Sequence, residues 1–396
     1  MEVYLDNSAT TKVTEGVRDK MMKVLYEDFG NPSSMHRMGV KAEQYMKEAA
    51  AIIAGNLKVE PKEIIFTSGG TEANNLALIG TALANKRRGN HIITTRIEHP
   101  SVHQPLVFLE ENGFEVSFAP VDTSGKIIKE KLFELVKENT LMVSIMYVNN
   151  EIGAVQDVVE LAAELKNRKK ELIIHVDAVQ AFGKYRIYPK RGGIDLLSFS
   201  GHKIHGPKGI GALYISDKIK VNPTVFGGGH QRGIRSGTEN VPAIAALGQA
   251  VAELYSNFDE KIERMYLLKQ RFLQEVSKLE GVQVNGMPME CTDSFELEHI
   301  RKTAPHIMNV SFQGVRSEVL LHALEDKGVY VSAGSACSSH HPTPSVTLTA
   351  IGLAKDLMDS TLRISMSEMT TQEEIEYTLE QIKELLPMLR RYTRKK

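Results

Sequence analysis

The sequence has few cysteines for its length, since 396 residues include only Cys291 and Cys337. Two cysteines do not build a disulfide framework, so a reducing cytoplasm is the expected compartment. The chain also has almost no net charge, −1 at pH 7, and therefore gives no indication of direct nucleic-acid binding. It has no apolar run of membrane-spanning length, which predicts no membrane partner.

The first residues, MEVYLDNSATT, lack the basic start and the apolar core of a signal peptide, so none is expected. Repeats and low-complexity segments are absent from the sequence as well. The C-terminal MLRRYTRKK is locally basic and indicates a solvated tail, with RNA or partner contact as the weaker alternative. With 42% hydrophobic and 24% charged residues, the composition is that of a soluble globular protein of two or three domains.

Short apolar strands alternate with amphipathic helices between residues 64 and 215. This alternation predicts an α/β fold with a mostly parallel sheet sandwiched by helices. The predicted strands are Ile64–Thr67, His91–Thr95, Glu115–Ala119, Leu141–Tyr147, Leu172–Val176, Asp195–Ser200 and Ala212–Ile215, the last being the candidate for an antiparallel strand.

The pattern changes after a long helical region, Pro242–Leu279, where strands and helices indicate a smaller α+β C-terminal domain. We therefore predict an N-terminal arm (1–14) associated with the small domain, a large domain (15–255) and a small domain (256–396). The charged, irregular segment Glu290–Pro305 is predicted to be a surface loop.

One lysine occupies a position suited to chemistry. In DLLSFSGHKIHGPKGIGALYI the strand ends at Ser200, and Lys203 follows among glycines too small to cover it. Ligands of α/β proteins bind at the carboxyl ends of parallel strands, where a lysine amine is able to form a Schiff base. The alternative is an ordinary surface lysine in a glycine-rich turn.

A carboxylate at the end of another strand complements this lysine. ELIIHVDAVQ is a strand that ends in Asp177, with Gln180 three residues further. Pyridoxal phosphate needs a lysine for its aldehyde and a carboxylate to keep its ring nitrogen protonated. Asp177 alone would be an ordinary helix cap; together with Lys203 it predicts pyridoxal phosphate as the cofactor.

Three further segments follow predicted strands. In TSGGTEANN, Gly70 and Thr71 open a helix whose free N–H groups suit a phosphate, although Thr71 also suits a simple cap. His99 in IEHPS is placed to lie flat on the cofactor ring, but a lone histidine is more often a loop residue. Asn150 in YVNNEIG also lies just beyond a strand end.

These motifs, in this order, resemble those of a known family. The chain resembles the cysteine desulfurases of the NifS/IscS type, within the class V aminotransferase group of pyridoxal-phosphate enzymes. The similarity extends over nearly the whole chain, in YLDNSATT, FGNPSS, SGGTEANN, EHPS, NNEIG, HVDAVQ, SFSGHKIHGPKGIGALYI, GGGHQRGIRSGTEN, SAGSACSS and TLRIS. Ser8 and Gly70 depart mildly, because alanine is usual or frequent at both positions.

The resemblance implies a fold-type-I transferase that binds pyridoxal 5'-phosphate, and it implies roles for single residues. Lys203 would hold the cofactor as a Schiff base and move protons. Arg363 in TLRIS would bind the substrate carboxylate, and Asn150 would contact both cofactor and substrate. The remaining cofactor contacts would be Asp177 at the ring nitrogen, Gln180 at the ring hydroxyl, His99 on the ring face, and Gly70, Thr71, Ser200 and His202 at the phosphate. Thr238 would reach the phosphate of a neighbouring subunit, which implies a homodimer.

Cys337, in SAGSACSSHHP, is the residue that distinguishes a desulfurase from an aminotransferase or another β-eliminating enzyme. The resemblance makes it the nucleophile that takes sulfur from bound cysteine as a persulfide, against the alternative of a small buried hydrophobe. His340 and His341 suggest a metal site with Cys337, but a fourth ligand is missing and no metal is predicted.

The predicted reaction converts L-cysteine to L-alanine, with the sulfur passing from Cys337 to an acceptor protein. The acceptor would be an iron–sulfur scaffold, a tRNA-thiolation enzyme or a thiamine-pathway protein. The alternatives are a selenocysteine lyase, an aminotransferase or other β-eliminating enzyme, and a sulfur-relay scaffold without catalysis.

Overall fold

The computed structural model describes residues 1–291, 294–333 and 345–393. Its strands are β1 (Val3–Tyr4), β2 (Ile64–Thr67), β3 (His91–Thr95), β4 (Glu115–Ala119), β5 (Thr140–Met146), β6 (Ile173–Asp177), β7 (Leu196–Ser200), β8 (Gly211–Ile215), β9 (Val282–Asn285), β10 (Ile307–Phe312), β11 (Val329–Tyr330), β12 (Ser332–Ala333) and β13 (Thr361–Ser365). No helix within the described ranges is both long and apolar enough to cross a membrane.

The α-helices cover the sheets and connect their strands. They are α1 (Glu15–Tyr26), α2 (Arg37–Leu57), α3 (Gly70–Asn75), α4 (Thr81–Asn85), α5 (Pro100–Glu111), α6 (Lys129–Glu134), α7 (Val158–Arg168), α8 (Pro189–Gly192), α9 (Val241–Tyr255), α10 (Phe258–Val276), α11 (Leu297–Ile300), α12 (Ser317–Glu325), α13 (Val346–Ala350), α14 (Lys355–Met358) and α15 (Gln372–Thr393). A π-helical turn, Leu76–Gly80, joins α3 to α4, so the chain stays helical from Gly70 to Asn85.

The large sheet has the strand order β2-β8-β7-β6-β5-β3-β4. Strand β8 pairs antiparallel with both of its neighbours, whereas β7, β6, β5, β3 and β4 pair in parallel. The mostly parallel α/β sheet and the antiparallel strand that the sequence predicts are therefore confirmed. As a consequence, the carboxyl ends of β2, β3, β5, β6 and β7 all open at one edge of the sheet.

Two smaller sheets lie in the C-terminal part of the described chain. Strands β12, β13, β10 and β9 form an antiparallel sheet, and β1 pairs in parallel with β11. The arm continues beside β13, where Asp6 forms a bridge with Ser365. The first residues are thus held by strands made more than 300 residues later.

The buried apolar residues form separate cores. One core packs against the large sheet through residues such as Val143, Ile174 and Leu197. Another joins the arm residue Leu5 to residues such as Phe272 of α10. The first core also includes Ala304 and Ile307, so the division of the chain near residue 256, with the arm attached to the smaller part, stays a prediction.

The structure corrects two predictions in the region of α10. The predicted helix Pro242–Leu279 is two helices, separated at Asn257, whose φ of 50° is a left-handed value that asparagine tolerates. The segment Glu290–Pro305 is not a surface loop, because it contains α11 and its Ala304 is fully buried. Lys269 of α10 explains this burial, since its Nζ donates to Thr303 Oγ1 and the Ala304 carbonyl, both at 2.7 Å, and to the Ile307 carbonyl at 2.8 Å.

Candidate active site

The edge of the large sheet that carries the strand ends contains a cavity of about 370 Å³. Strands β2, β3, β5, β6 and β7 each lead into a loop that lines it, and β13 reaches it from the smaller sheet. The predicted site residues on its wall are Gly70, Thr71, His99, Asn150, Asp177, Gln180, Ser200, His202, Lys203 and Arg363. Residues from six separated segments therefore meet at one place.

Lys203 lies in a single 3₁₀ turn, Gly201–Lys203, directly after β7. Its Nζ donates to the backbone carbonyls of Ser8 and, at 2.8 Å, of Ala9 in the arm. Burial, followed by the positive charge of Arg363, lowers the pKa of Lys203 to about 8. A lysine with such a pKa holds a substantial fraction of neutral, nucleophilic amine near physiological pH.

Asp177 is the last residue of β6 and is almost fully buried. Its Oδ1 accepts from the Val179 amide at 2.9 Å, and its Oδ2 accepts from Asn74 Nδ2 at 2.8 Å. Burial raises the pKa of Asp177, while the two hydrogen bonds and the charges of His99 and Lys203 act in the opposite direction. Both donors are neutral amides, so a cationic ring nitrogen would add the opposite charge that this carboxylate needs.

Asn74 connects Asp177 to His99 through Ser101. Asn74 was not predicted from the sequence as a site residue. Asn74 Nδ2 also donates to Ser101 Oγ at 2.9 Å. The Ser101 hydroxyl lies 2.8 Å from His99 Nδ1, which also accepts from the Ser101 amide at 3.1 Å. Since Nδ1 is an acceptor, the proton of the neutral imidazole is on Nε2. Burial lowers the pKa of His99, which favours this neutral form.

The strand β2 leads into the helix that starts at Gly70, and this helix start faces the cavity with Thr71, Ser200 and His202. A Cβ atom at Gly70 would lie 2.7 Å from Val179 Cγ2, so a side chain at this position requires Val179 to shift. Burial, followed by Lys203 and Lys208, lowers the pKa of His202 to about 4. A neutral imidazole and free helix N–H groups offer a phosphate hydrogen-bond donors.

Arg363 and Gln180 complete the wall of the cavity. Arg363 Nη2 lies 2.8 Å from Asp6 Oδ1, and Nη1 donates to the Asn150 carbonyl at 3.0 Å. Gln180 Nε2 donates to the Ser8 carbonyl at 3.0 Å. The contact of Arg363 with Asp6 was not predicted, because only the fold brings the two residues together.

Thr238 does not line this cavity and is exposed on the loop between β8 and α9. Two contacts hold the loop against the helix start. Gln231 pairs its amide with the backbone N–H and C=O of Phe66, at 2.6 and 2.8 Å. Arg235 forms two hydrogen bonds with the Glu72 carboxylate, at 2.8 and 3.2 Å. Thr238 is thus free to face a second chain.

Cys337, His340 and His341 lie outside the described residues. Cys291, by contrast, is fully buried, and burial raises the pKa of its thiol, so it is not a reactive thiolate. Within the described part of the chain, no group of three or more histidine, cysteine, aspartate or glutamate side chains is arranged to hold a metal ion.

Comparison with known proteins agrees with this arrangement. The family model described as aminotransferase class-V matches residues 3–378. The chain is 43% identical over 395 residues to a cysteine desulfurase IscS of Proteus mirabilis, covering 98% of this chain and 94% of that protein. It is 39% identical over 388 residues to the cysteine desulfurase IscS of Methanosarcina thermophila, covering 98% of this chain and 93% of that protein. A solved structure of a NifS-like protein superposes with a TM-score of 0.90 at 37% identity, and the match covers 98% of this chain and 100% of the solved one.

The chain therefore belongs to the aminotransferase class-V family and has the fold-type-I architecture of pyridoxal-phosphate enzymes. Within that class it belongs to the cysteine desulfurase family of the NifS/IscS type. The resemblance that the sequence motifs indicated is confirmed.

The cavity fits the cofactor of this family. Pyridoxal phosphate carries an aldehyde, a ring nitrogen, a ring hydroxyl and a phosphate. The cavity offers, in the same order, the amine of Lys203 with its lowered pKa, the buried Asp177 carboxylate, the Gln180 amide and the helix start at Gly70. Each functional group of the cofactor thus has a chemically matched partner on the wall.

Proposed function

We propose that this protein converts L-cysteine to L-alanine and transfers the sulfur to Cys337 as a persulfide. The observation that carries the proposal is the meeting, in one cavity, of a lysine amine with a lowered pKa, a buried carboxylate and an arginine guanidinium. Family membership supports the same reaction.

Bound pyridoxal phosphate supplies an electron sink, so that negative charge next to the C–S bond of the substrate is stabilised. Lys203 would hold the cofactor and move the proton of the substrate Cα. Asp177 would keep the ring nitrogen protonated, and His99, oriented by Ser101, would contact the ring. Gln180 would bind the ring hydroxyl, and Gly70, Thr71, Ser200 and His202 would hold the phosphate.

Arg363 binds the carboxylate of L-cysteine. Its guanidinium lies at the cavity wall and is almost buried. A carboxylate that meets it there forms charge-assisted hydrogen bonds, which are about twice as strong as neutral ones. Asn150, whose carbonyl already holds Nη1 of Arg363, is the second substrate contact.

Cys337 acts as the nucleophile. Its thiolate attacks the sulfur of bound L-cysteine, so that an S–S bond forms while the C–S bond breaks, and the carbon is protonated to give L-alanine. Each cycle leaves the protein with one additional sulfur atom, as a persulfide. An acceptor protein, either an iron–sulfur scaffold or a tRNA-thiolation enzyme, then takes this sulfur in a reducing cytoplasm, where the thiol stays free.

The active unit is a homodimer in which Thr238 of one subunit reaches the phosphate of the other. Two features support this arrangement. The loop that carries Thr238 is tied to the helix start but faces outward. Large apolar side chains are also exposed near α1 and the start of α2, with exposed fractions of 81% for Tyr26, 68% for Phe29 and 99% for Met35, as expected for a surface that a second chain covers.

The proposal is tested by the products formed from L-cysteine with a reductant. The cofactor-loaded wild type is expected to release alanine and sulfide in equal amounts. Cys337→Ser and Lys203→Ala are expected to abolish both, whereas Cys291→Ala, which removes the other thiol, is expected to retain them. Pyruvate and ammonia as products, with Cys337→Ser fully active, would instead identify a β-eliminating enzyme.

A further inference from the structure

The arm residue Asp6 contacts Arg363 in a way that the reaction itself does not require. Asp6 Oδ1 lies 2.8 Å from Arg363 Nη2, with the two side chains 22% and 11% exposed. The pair is therefore largely shielded from water. An ion pair in such a position is stronger than one at the surface. The Arg363 guanidinium is held at two points, by this carboxylate and by the Asn150 carbonyl.

The two contacts fix the guanidinium beside the cavity that Arg363 helps to line. Nη1 and Nη2 each carry two N–H groups, so each keeps a donor beyond its bond to the Asn150 carbonyl or to Asp6. An arginine side chain has several rotatable bonds and loses much conformational freedom when one orientation is fixed. Asp6 thus selects, before any ligand arrives, the orientation in which the guanidinium lies at the cavity wall.

Asp6 and Arg363 also belong to the same rigid part of the structure. The arm pairs with β11 through Val3 and Tyr4, and Asp6 forms a bridge with Ser365, two residues after Arg363. The Asn150 contact, in contrast, comes from the loop after β5 in the large sheet. The pairing of the arm with β11 and β13 therefore holds Asp6 next to Arg363, on the same side of the cavity as β13.

We propose that Asp6 is a positioning residue for substrate binding, which fixes the Arg363 guanidinium at the cavity wall so that it receives the α-carboxylate of an amino acid. The proposal rests on the carboxylate-binding role of Arg363 proposed above. It adds a residue from the arm to the determinants of specificity, because ligands without a carboxylate gain nothing from the orientation of Arg363.

The test compares a ligand that carries the carboxylate with one that lacks it. Dissociation constants of L-alanine and of cysteamine are measured by calorimetry on the cofactor-loaded dimer, so that desulfuration is not needed for the readout. Asp6→Ala is expected to weaken L-alanine about tenfold, equivalent to about 1.4 kcal/mol, and to leave cysteamine unchanged. Asp6→Asn, which retains shape and an acceptor oxygen, is expected to have a smaller effect on L-alanine.

Glu2→Gln is the matched control, since it removes one negative charge from an exposed position of the same arm. In an Arg363→Ala background, the effect of Asp6→Ala is expected to vanish, because coupled residues are not additive. Equal weakening of both ligands, or an effect that persists without Arg363, would overturn the proposal. If Asp6→Ala does not fold, as judged from cofactor content and melting temperature, Asp6→Asn carries the same comparison.

A wild type that binds L-alanine but forms no sulfide from L-cysteine would refute the proposed function and leave this measurement valid. A wild type that desulfurates L-cysteine, with an Asp6→Ala variant that binds L-alanine normally, would refute only the role of Asp6. The two failures are therefore distinguishable.

Discussion

Lys203 lies among charges of both signs, and their balance determines its chemistry. Burial and Arg363 lower its pKa, whereas Asp6 and Asp177 raise it. The carbonyls of Ser8 and Ala9 hold the amine in place. The same arm therefore contacts both the lysine proposed to hold the cofactor and the arginine proposed to bind the substrate.

The pKa of Lys203 predicts how cofactor loading depends on pH. The ordinary value of a lysine is 10.5, and here it is lowered to about 8. As the pH falls below about 8 the protonated, unreactive amine becomes the larger fraction, so the loading rate of the cofactor-free protein is expected to rise with pH and to level off above that value. The rate is followed by absorbance, with free lysine as the reference for ionisation of the cofactor itself.

Arg363→Gln is expected to move the midpoint of this profile upward, because Arg363 lowers the pKa of Lys203. Glu2→Gln in the exposed part of the arm is the control and is expected to leave the midpoint in place. A midpoint near the ordinary lysine value in the wild type would show that burial does not activate this amine.

Single residues were predictable from sequence where they follow a recognisable strand end. Asp177, Lys203 and His99 all do so. Asn74 and Asp6 were not predictable as site residues, because their contacts join positions 103 and 357 residues apart. A local pattern does not carry information about such pairs, which only the packed fold brings together.

At the scale of elements, apolar, β-branched segments bounded by glycine or polar residues predicted β2, β3 and β4 with their observed limits. The strand β1 was described only as part of an extended arm, because two residues have no periodicity. The break between α9 and α10 was also not predicted, since the apolar pattern continues across it and only two residues, Ser256 and Asn257, have a non-helical backbone.

The turn between β2 and α3 predicts a compensating pair of substitutions. Gly70→Ala would place a Cβ 2.7 Å from Val179 Cγ2, and overpacking of this kind costs about 1–3 kcal/mol. We expect the variant to bind pyridoxal phosphate more weakly and to melt at a lower temperature. Titration of the cofactor-free protein by fluorescence measures the first effect, and calorimetry measures the second.

The double variant Gly70→Ala, Val179→Ala is the matched test, because it removes the methyl group that the new Cβ would meet. It is expected to recover most of the cofactor affinity that Gly70→Ala loses. If Gly70→Ala alone binds the cofactor as the wild type does, the contact with Val179 does not limit this position, and the helix start tolerates a larger residue.

At the scale of the whole molecule, the exposed apolar residues near α1 predict the effect of disrupting the dimer. Tyr26→Glu with Phe29→Glu would bury two charges in the proposed interface, which is strongly unfavourable. Sedimentation equilibrium is expected to show a monomer, and cofactor affinity is expected to fall about tenfold, or about 1.4 kcal/mol, because Thr238 of the partner subunit is lost.

Val319→Glu is the control, because it changes an exposed apolar residue on α12, within the smaller part of the chain. It is expected to leave the dimer and the cofactor affinity intact. A monomeric wild type, or a double variant that dimerises normally, would contradict the placement of the interface near Tyr26 and Phe29.

The pairing of the arm with β11 and β13 has a consequence for synthesis of the chain. The arm leaves the ribosome before the two sheets are made, and β13 follows more than 350 residues later. When Asp177 and Lys203 have emerged, Asp6 still lacks the strand that holds it and the arginine that it contacts. A late strand therefore completes the surroundings of the arm, and a nascent chain that stops before Ser365 contains Asp177 and Lys203 but leaves the arm without its neighbour in β13.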